Sequence, residues 1–208
     1  QELNVNKRAL IVGGGASGMT AALGLADQGF EVFLVEKEKE LGGNLRNLFY
    51  TIQGIQIQEY LHSLIKRVQD HPLIQVILDG TIVDFSGFKG NFKTGIMSGP
   101  GMAYRQIEHG VVIIATGGEE YKPEEYLYGE DERVITQQEL ERKIAREEID
   151  LKSINEVVMI QCVGSRIPER PYCSRICCSM AIKNALKIKE LNPQANIFIL
   201  YRDMRTYG

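Results

Sequence analysis

The feature that most constrains the fold of this chain is a glycine-rich turn between an apolar run and a helical pattern near the amino terminus. Residues 9–12 form a short apolar run, which predicts a buried parallel strand. Gly13, Gly15 and Gly18 follow with dinucleotide-fingerprint spacing, and apolar residues then recur at helical spacing. A second strand is predicted over residues 31–35. This order of elements predicts a Rossmann-like α/β domain.

The three glycines of the fingerprint, Gly13, Gly15 and Gly18, each have a predicted role in binding a dinucleotide. Gly13 permits the tight turn, Gly15 lets backbone amides approach a pyrophosphate, and Gly18 lets helix and strand pack closely. The amino terminus of the helix then faces the phosphate charge. Glu36 stands 21 positions after Gly15, where its carboxylate can accept hydrogen bonds from the adenosine ribose hydroxyls. A purely structural turn is the alternative, and the agreement of all these elements favours dinucleotide binding.

Two further segments favour a flavin dinucleotide over a nicotinamide one. One segment resembles the extended motif of two-dinucleotide-domain flavoproteins, in which the glycine pair passes close to the flavin; it consists of Lys37, Leu41, Gly42 and Gly43. A later apolar run leads into Ala-Thr-Gly, as in flavoproteins of the glutathione-reductase type, so that Thr116 and Gly117 are expected to line the cofactor. A surface turn at the first segment and a plain strand end at the second are the alternatives.

The middle of the chain changes its period from helix to strand. Residues 57–68 carry an amphipathic helical stripe. Short strand-like runs follow near Val76, Ile82, Phe92 and Tyr104, separated by glycines, which predicts a small antiparallel meander.

Residues 119–155 are highly charged and partly helical, and no chemistry is assigned to them. Six charged residues are predicted to share a solvated face: Glu139, Glu141, Arg142, Lys143, Arg146 and Glu147.

A second unit of strand, loop, helix and strand follows. Its strands are predicted over residues 157–161 and 196–201, with a helix over residues 180–191. The buried stripe of that helix is predicted to consist of Ile182, Ala185 and Leu186.

The predicted fold is therefore α/β: a Rossmann-like FAD-binding domain of the glutathione/thioredoxin-reductase type with a small antiparallel meander, plus the start of a second α/β domain. The predicted domain bounds are residues 1–150 for an incomplete FAD-binding domain and 151–208 for a partial second Rossmann-like unit.

All four cysteines lie within 17 residues, between a predicted strand and a predicted helix. They are Cys162, Cys173, Cys177 and Cys178. A nucleophile needs one thiolate and a dithiol switch needs two, whereas an iron–sulfur cluster or a structural zinc needs about four sulfur ligands. The count therefore favours a metal site, although adjacent residues are awkward ligands for one cluster. The same loop carries only Gly164 where a second phosphate cradle would be, so a nicotinamide site there is not expected.

Composition excludes several classes of partner. The 24 basic and 27 acidic residues give a net charge of −3 without long runs of one sign, so nucleic acid is not an expected partner. No apolar run reaches the roughly 20 residues of a membrane span. Residues 1–8 lack the apolar stretch of a secretory signal, and the cysteines are expected to be reduced in the cytoplasm.

Three motifs resemble the A subunit of heterodisulfide reductase: residues 161–166, residues 172–178 and residues 200–208. The resemblance implies an FAD-containing, iron–sulfur electron-transfer subunit that works with other redox subunits in a larger complex and is associated with flavin-based electron bifurcation. It also implies a 4Fe–4S cluster held by all four cysteines.

Three departures from that family are visible. The chain lacks the additional cysteine-rich ferredoxin segments, has a shorter course, and lacks the later Gly-Asp segment that completes the FAD domain. A fragment is therefore expected.

Three functions remain open. The favoured one is an electron-transfer flavoprotein module in which FAD exchanges electrons with a cysteine-ligated cluster. The others are a flavin-dependent disulfide reductase that uses a cysteine pair, and a non-catalytic module with a structural zinc. No catalytic acid or base is predicted, because electron transfer requires none. Arg166, Arg170 and Arg175 surround the cysteines and are candidates for stabilising thiolates.

Overall fold

The amino-terminal elements form in the predicted order. The structure is a computed structural model that describes residues 4–207, so the outermost ends of the two predicted domains lie outside the described residues. Strand β1 spans Ala9–Val12, helix α1 spans Ala16–Ala26 and strand β2 spans Val32–Val35. The whole of β2 is buried, as expected for a strand covered on both faces. The prediction of a strand, a glycine turn, a helix and a second strand is confirmed.

Four parallel strands form the main sheet, in the order β3 (Ile74–Ile77), β2, β1 and β7 (Val111–Ile114). The later apolar run, β7, does therefore return beside β1. Helix α2, Ile57–Asp70, precedes β3 and buries Leu61, Leu64 and Val68 on one face. These side chains join residues of α1, β1 and β2 in one hydrophobic core.

An antiparallel meander of three strands lies between β3 and β7 in the chain. Its strands are β4 (Gly80–Phe88), β5 (Asn91–Ser98) and β6 (Ala103–His109). The predicted meander is confirmed except at Val76, which pairs with Leu34 of β2 in the parallel sheet. The four-residue run around Val76 is too short for its period to distinguish the two kinds of sheet, and the pairing partner decides.

The second unit contains a short parallel pair of strands and two α-helices. Strands β8 (Glu156–Ile160) and β9 (Asn196–Leu200) pair in parallel, and α4 (Cys177–Leu191) connects them. Helix α3, Gln137–Ala145, begins with a capping box between Thr136 and Glu139. Short 3-10 helices span Gly43–Asn47 and Leu151–Ser153.

Helix α4 differs from its prediction in its start and in its buried face. It begins at Cys177, three residues earlier than predicted, so two cysteines lie in its first turn. The predicted stripe was wrong at Leu186, whose side chain is exposed, whereas Ala181, Asn184 and Ile188 are buried. Asn184 occupies the buried face because its amide has hydrogen-bond partners there, which periodicity of apolar residues does not reveal.

The chain divides into two compact units, each with its own core. The first comprises residues through Arg46 together with Gln58–Gly118, and the second comprises Asn47–Ile57 together with the residues from Glu119 onward. The predicted division into an FAD domain through residue 150 and a second Rossmann-like unit stays a prediction about functional domains. The α/β fold class, with a parallel sheet and an antiparallel meander, is confirmed.

Across residues 4–207, no helix is both long enough and apolar enough to cross a membrane.

Candidate cofactor sites

The glycine turn after β1 is shaped by close backbone contacts. A β-carbon on Gly13 would lie 2.2 Å from the carbonyl oxygen of Ala115, and Gly13 has a positive φ of 111°. A β-carbon on Gly18 would lie 1.8 Å from the carbonyl oxygen of Gly13. Both positions therefore accept only glycine without a shift of the backbone, for the two steric reasons that the sequence predicts.

Gly15 is the N-cap of α1 and faces open space. No atom lies within 4 Å of the position that its β-carbon would occupy, and no side chain caps the helix. The first backbone N–H groups of α1 therefore have no side-chain cap at a helix end that attracts anions. A pyrophosphate fits such a place, because a side chain at Gly15 would otherwise project into it.

The second glycine pair lies against this turn. The N–H of Gly42 donates to the carbonyl oxygen of Gly14 at 2.9 Å, and Gly15 and Gly42 form an isolated parallel bridge. A β-carbon on Gly43 would lie 3.2 Å from the α-carbon of Gly15. The structure thus places Gly42 and Gly43 beside the glycine turn. The two segments must lie close together if they bind the same cofactor.

Glu36 connects the end of β2 to the same turn. Its carboxylate is buried and accepts hydrogen bonds from the N–H of Gly14 at 2.6 Å and of Glu38 at 2.9 Å. An ionised carboxylate offers about four acceptor positions, so two amide bonds leave capacity for ribose hydroxyls.

The remaining predicted FAD residues lie at the rim of the sheet. Thr116 and Gly117 follow β7 and are exposed, and the carbonyl oxygen of the next residue, Gly118, accepts a hydrogen bond from Asn44 at 2.7 Å. The side chain of Lys37 is exposed and lies 3.7 Å from a carboxylate oxygen of Glu38. The assignment of all these residues to FAD stays a prediction.

The four cysteines lie at the carboxyl end of β8, in the following loop and in the first turn of α4. All four are free thiols. Cys162 follows β8 with a positive φ of 64°, and both it and Cys178 are buried. Cys173 and Cys177 are half-exposed, and the Sγ of Cys173 accepts a hydrogen bond from the N–H of Arg175 at 3.3 Å.

Three of these thiols influence one another. Burial raises the pKa of the Cys178 thiol, the backbone N–H of Arg205 opposes this, and Cys177 and Cys162 raise the pKa further. The causes of this further rise are like charge on Cys177 and Cys162 and a side-chain hydrogen bond with Cys177. Both Cys177 and Cys162 therefore affect the pKa of the Cys178 thiol.

Residues 4–207 nevertheless contain no group of three or more Cys, His, Asp or Glu side chains arranged to hold a metal ion. The number and type of the donors, four free thiols, suit an iron–sulfur cluster. Their positions in this structure do not form a ligand set around one point.

The three predicted arginines of the cysteine loop all have other partners. The guanidinium of Arg170 lies 4.8 Å from the ring centre of Tyr121. Arg166 forms an ion pair with Asp203 and also interacts with the side chain of Cys162. The guanidinium of Arg175 lies 5.6 Å from the ring centre of Tyr207. Arg166 is therefore the arginine best placed to offset negative charge on a sulfur.

The second unit contains a buried polar cluster that the sequence patterns do not predict. It consists of Glu141, Lys183, Tyr50 and Asn184. Glu141, predicted on a solvated face, has no exposed surface, so that prediction was wrong. Its carboxylate pairs with Nζ of Lys183 at 2.6 Å and accepts the N–H of Phe49 at 2.7 Å. Lys183 also donates to the carbonyl oxygen of Tyr50, whose hydroxyl donates to Asn184 at 3.0 Å.

The signal that could have found Glu141 is its helical register. Leu140 and Ile144 are buried on α3, and Glu141 is three residues before Ile144 on the same face. A carboxylate on a buried face requires a cation, since an unpaired buried charge is costly. The identity of that cation, 42 residues later in the chain, leaves no trace in the local sequence.

Comparison with known proteins covers both units. An iron-sulfur subunit of CoB–CoM heterodisulfide reductase from Methanopyrus kandleri, the one designated A 1, is 31% identical, and the match covers 100% of this chain and 45% of that protein. The corresponding iron-sulfur subunit of the Methanocaldococcus jannaschii enzyme is also 31% identical, over 99% of this chain and 45% of the relative. The resemblance to the A subunit of heterodisulfide reductase is confirmed.

The chain spans less than half the length of these heterodisulfide reductase relatives. The alignment with the Methanopyrus protein runs over 302 residues, whereas this chain has 208. That relative therefore has residues inside the aligned region that have no counterpart here.

Two further comparisons concern the fold. A family profile described as an NAD(P)-binding Rossmann-like domain matches residues 11–79. The crystal structure of L-proline dehydrogenase from P. horikoshii is similar with a TM-score of 0.54 and 17% identity, covering 98% of this chain and 37% of that one. Both comparisons support the Rossmann-like α/β fold of this chain.

Proposed function

We propose that this chain is an FAD-dependent electron-transfer module of a heterodisulfide-reductase-type oxidoreductase complex. FAD binds at the glycine turn, and a 4Fe–4S cluster is held by Cys162, Cys173, Cys177 and Cys178. The observation that carries the proposal is that the heterodisulfide reductase relatives match the whole chain, including both the glycine turn and the cysteine segment. Other redox subunits and a cytoplasmic location belong to the same proposal.

The chain's residues divide the work of binding FAD. The uncapped amino terminus of α1 attracts the pyrophosphate, and Gly15 leaves room for it. Glu36 holds the adenosine ribose through the free lone pairs of its buried carboxylate. Gly42 and Gly43, which pack against Arg46 and Gly15, would let the chain pass close to the flavin, as in the flavoproteins whose motif they resemble.

The cysteine segment offers four sulfur donors and excludes much of the water from two of them. Cys162 and Cys178 are buried, which lowers the local dielectric around a cluster. Arg166 interacts with the side chain of Cys162 and places positive charge beside it, where it would offset negative charge on a cluster. FAD and the cluster together supply a two-electron centre and a one-electron centre, which is the chemistry of electron transfer between different carriers.

The test is anaerobic reconstitution with FAD, iron and sulfide, followed by absorption spectra and matched iron and sulfide assays. Flavin bands with about four iron and four sulfide per chain are expected. The dithiol alternative predicts a different result: the protein binds FAD without iron and reduces a disulfide substrate. A Cys173→Ser variant would then lose the disulfide reduction. Stoichiometric zinc that iron does not displace would contradict the proposal.

A further inference from the structure

Gln161 is a buried polar residue whose side chain has no hydrogen-bond partner. It is 7% exposed, and among the residues that the structure describes it alone has buried side-chain nitrogen or oxygen atoms without a partner, namely both Nε2 and Oε1. Buried polar atoms in folded proteins almost always have partners, so an orphaned amide indicates that a partner belongs there. The residue directly precedes Cys162.

The strand register places this amide on the side of β8 that packs against α4. The N–H of Gln161 continues the ladder by donating to the carbonyl oxygen of Leu200 at 2.9 Å, so the strand alternation extends to it. Its side chain is therefore on the same face as Met159, which lies in one core cluster with Ala181 and Ile188 of α4.

Sulfur atoms and an uncapped helix end lie at the same end of β8. Cys177 and Cys178 occupy the first turn of α4, whose N-cap residue Ile176 makes no side-chain hydrogen bond. Cys178 and Cys162, the residue that follows Gln161, are both buried. Three groups at the end of β8 thus favour negative charge: the amide donor of Gln161, the first N–H groups of α4 and Arg166.

We propose that the Nε2–H of Gln161 donates a hydrogen bond to a sulfur of the anionic iron–sulfur cluster held by the cysteines, and thereby raises the reduction potential of that cluster. The inference rests on the proposed function, since it assigns a residue to the same site. A hydrogen bond to a cluster sulfur is stronger in the reduced state, which carries one more negative charge, so it stabilises that state.

An amide suits this position better than a charged donor does. Gln161 is buried, and a cation there would need a carboxylate partner to offset its loss of hydration. A neutral N–H group directs its dipole at the sulfur at a smaller desolvation cost.

The test compares the reconstituted wild-type protein with Gln161→Met and a matched control, Gln194→Met. Methionine has nearly the length of glutamine and lacks the amide donor, and Gln194 lies exposed in the turn before β9. Iron and sulfide are assayed in each protein, and midpoint potentials are measured by a mediated redox titration followed by EPR. Pulsed EPR of the reduced proteins in H₂O and D₂O detects exchangeable protons close to the cluster.

Support for the inference is a more negative midpoint potential in Gln161→Met at equal iron content, together with the loss of one exchangeable-proton coupling. The Gln194→Met control is expected to match wild type in both readouts. Equal potentials and equal proton couplings in all three iron-loaded proteins would overturn the role of Gln161 and leave the proposed function standing. Absence of iron and sulfide from all three proteins would overturn the proposed function and the inference with it.

A second variant keeps the inference testable if Gln161→Met does not take up iron. Gln161→Leu also removes the amide donor, and it introduces no charge into the buried position. Its midpoint potential is expected to lie below that of wild type at neutral pH. A potential equal to that of wild type would overturn the assignment of Gln161.

Discussion

At the scale of single residues, Gly18 combines a steric role in packing with a predicted role in binding. A β-carbon at this position would overlap the carbonyl oxygen of Gly13, and Gly18 lies in the first turn of α1, against the turn predicted to hold the pyrophosphate. The sequence predicts this role because the fingerprint spacing itself records a steric requirement.

Replacement of Gly18 by alanine is expected to lower the free energy of unfolding by about 1–3 kcal/mol through overpacking, and to weaken FAD binding. The control is Gly24→Ala in the same helix, where no atom lies within 4 Å of the new β-carbon. That variant is expected to gain roughly 0.5–1 kcal/mol, because alanine favours the helix. Denaturant unfolding and FAD fluorescence titration measure both effects, and equal stabilities of the two variants would contradict the steric argument.

Lys183 is the residue on which the buried cluster of the second unit depends. The variant Lys183→Met leaves Glu141 buried without a cation, and is expected to lower the free energy of unfolding by about 3–5 kcal/mol. Lys187→Met on the same helix removes a pair whose Glu190 partner is exposed, and is expected to cost less than about 1 kcal/mol.

The double variant Glu141→Leu, Lys183→Met separates loss of pairing from loss of packing. It is expected to recover part of the stability lost in Lys183→Met, because no unpaired charge remains, although the N–H of Phe49 then loses its acceptor. Chemical denaturation of wild type, the two single variants and the double variant measures the cycle. A double variant less stable than Lys183→Met would show that the charges are not what the cluster requires.

At the scale of elements, the meander contains a titratable contact between two strands. His109 on β6 is fully buried, its Nε2 lies 2.8 Å from the hydroxyl of Thr94 on β5, and its Nδ1 lies 3.1 Å from the carbonyl oxygen of Val111. Because a carbonyl only accepts, Nδ1 carries the hydrogen and the neutral ring accepts at Nε2. Burial lowers the pKa of His109, the Val111 carbonyl opposes this, and the Arg8 cation lowers it further.

The stability of the meander is therefore expected to fall with acid. The pKa of His109 in the folded state is below that in the unfolded state, so the unfolded state binds the proton first as pH falls below about 6.5. The contribution of neutral His109 to the free energy of unfolding is complete above that pH and is lost below it. The free energy of unfolding then falls by at most ~1.4 kcal/mol per pH unit. Unfolding free energies between pH 7.5 and 5 are expected to fall less steeply in His109→Gln than in wild type. His62→Gln, on the exposed side of α2, serves as the control and is expected to keep the wild-type slope.

At the scale of the whole molecule, the two compact units carry different predicted sites. The residues predicted to bind FAD all lie in the first unit, and the four cysteines all lie in the second. A substitution that abolishes the binding of one cofactor is therefore expected to leave the binding of the other unchanged.

Two variants test this independence. Gly13→Val is expected to abolish FAD binding and to retain iron, since valine cannot adopt the positive φ or fit against Ala115. Cys178→Ser is expected to lose the cluster and to retain wild-type FAD affinity. Flavin, iron and sulfide stoichiometries are measured on each purified protein. Loss of both cofactors in either variant would show that the sites are coupled.

Much of the fold follows from the sequence, as does the position of the glycine turn at the end of β1. The glycine turn, α1, α2 and the returning strand β7 are local patterns, and each was predicted within a few residues. The sequence does not predict that Val76 pairs in the parallel sheet, because a short apolar run carries no information about its partner strand. It also does not predict that α4 begins as early as Cys177.

The sequence alone determines where the backbone must approach itself, because only glycine lacks the β-carbon that would collide at Gly13 and Gly18. It also places four sulfur donors in one segment. Only the tertiary structure decides that Glu141 is buried against Lys183 and that the amide of Gln161 is buried without a partner. The physical reason is that burial and hydrogen bonding depend on residues distant in sequence, whereas the steric requirement of a glycine turn leaves its mark on the residue type itself.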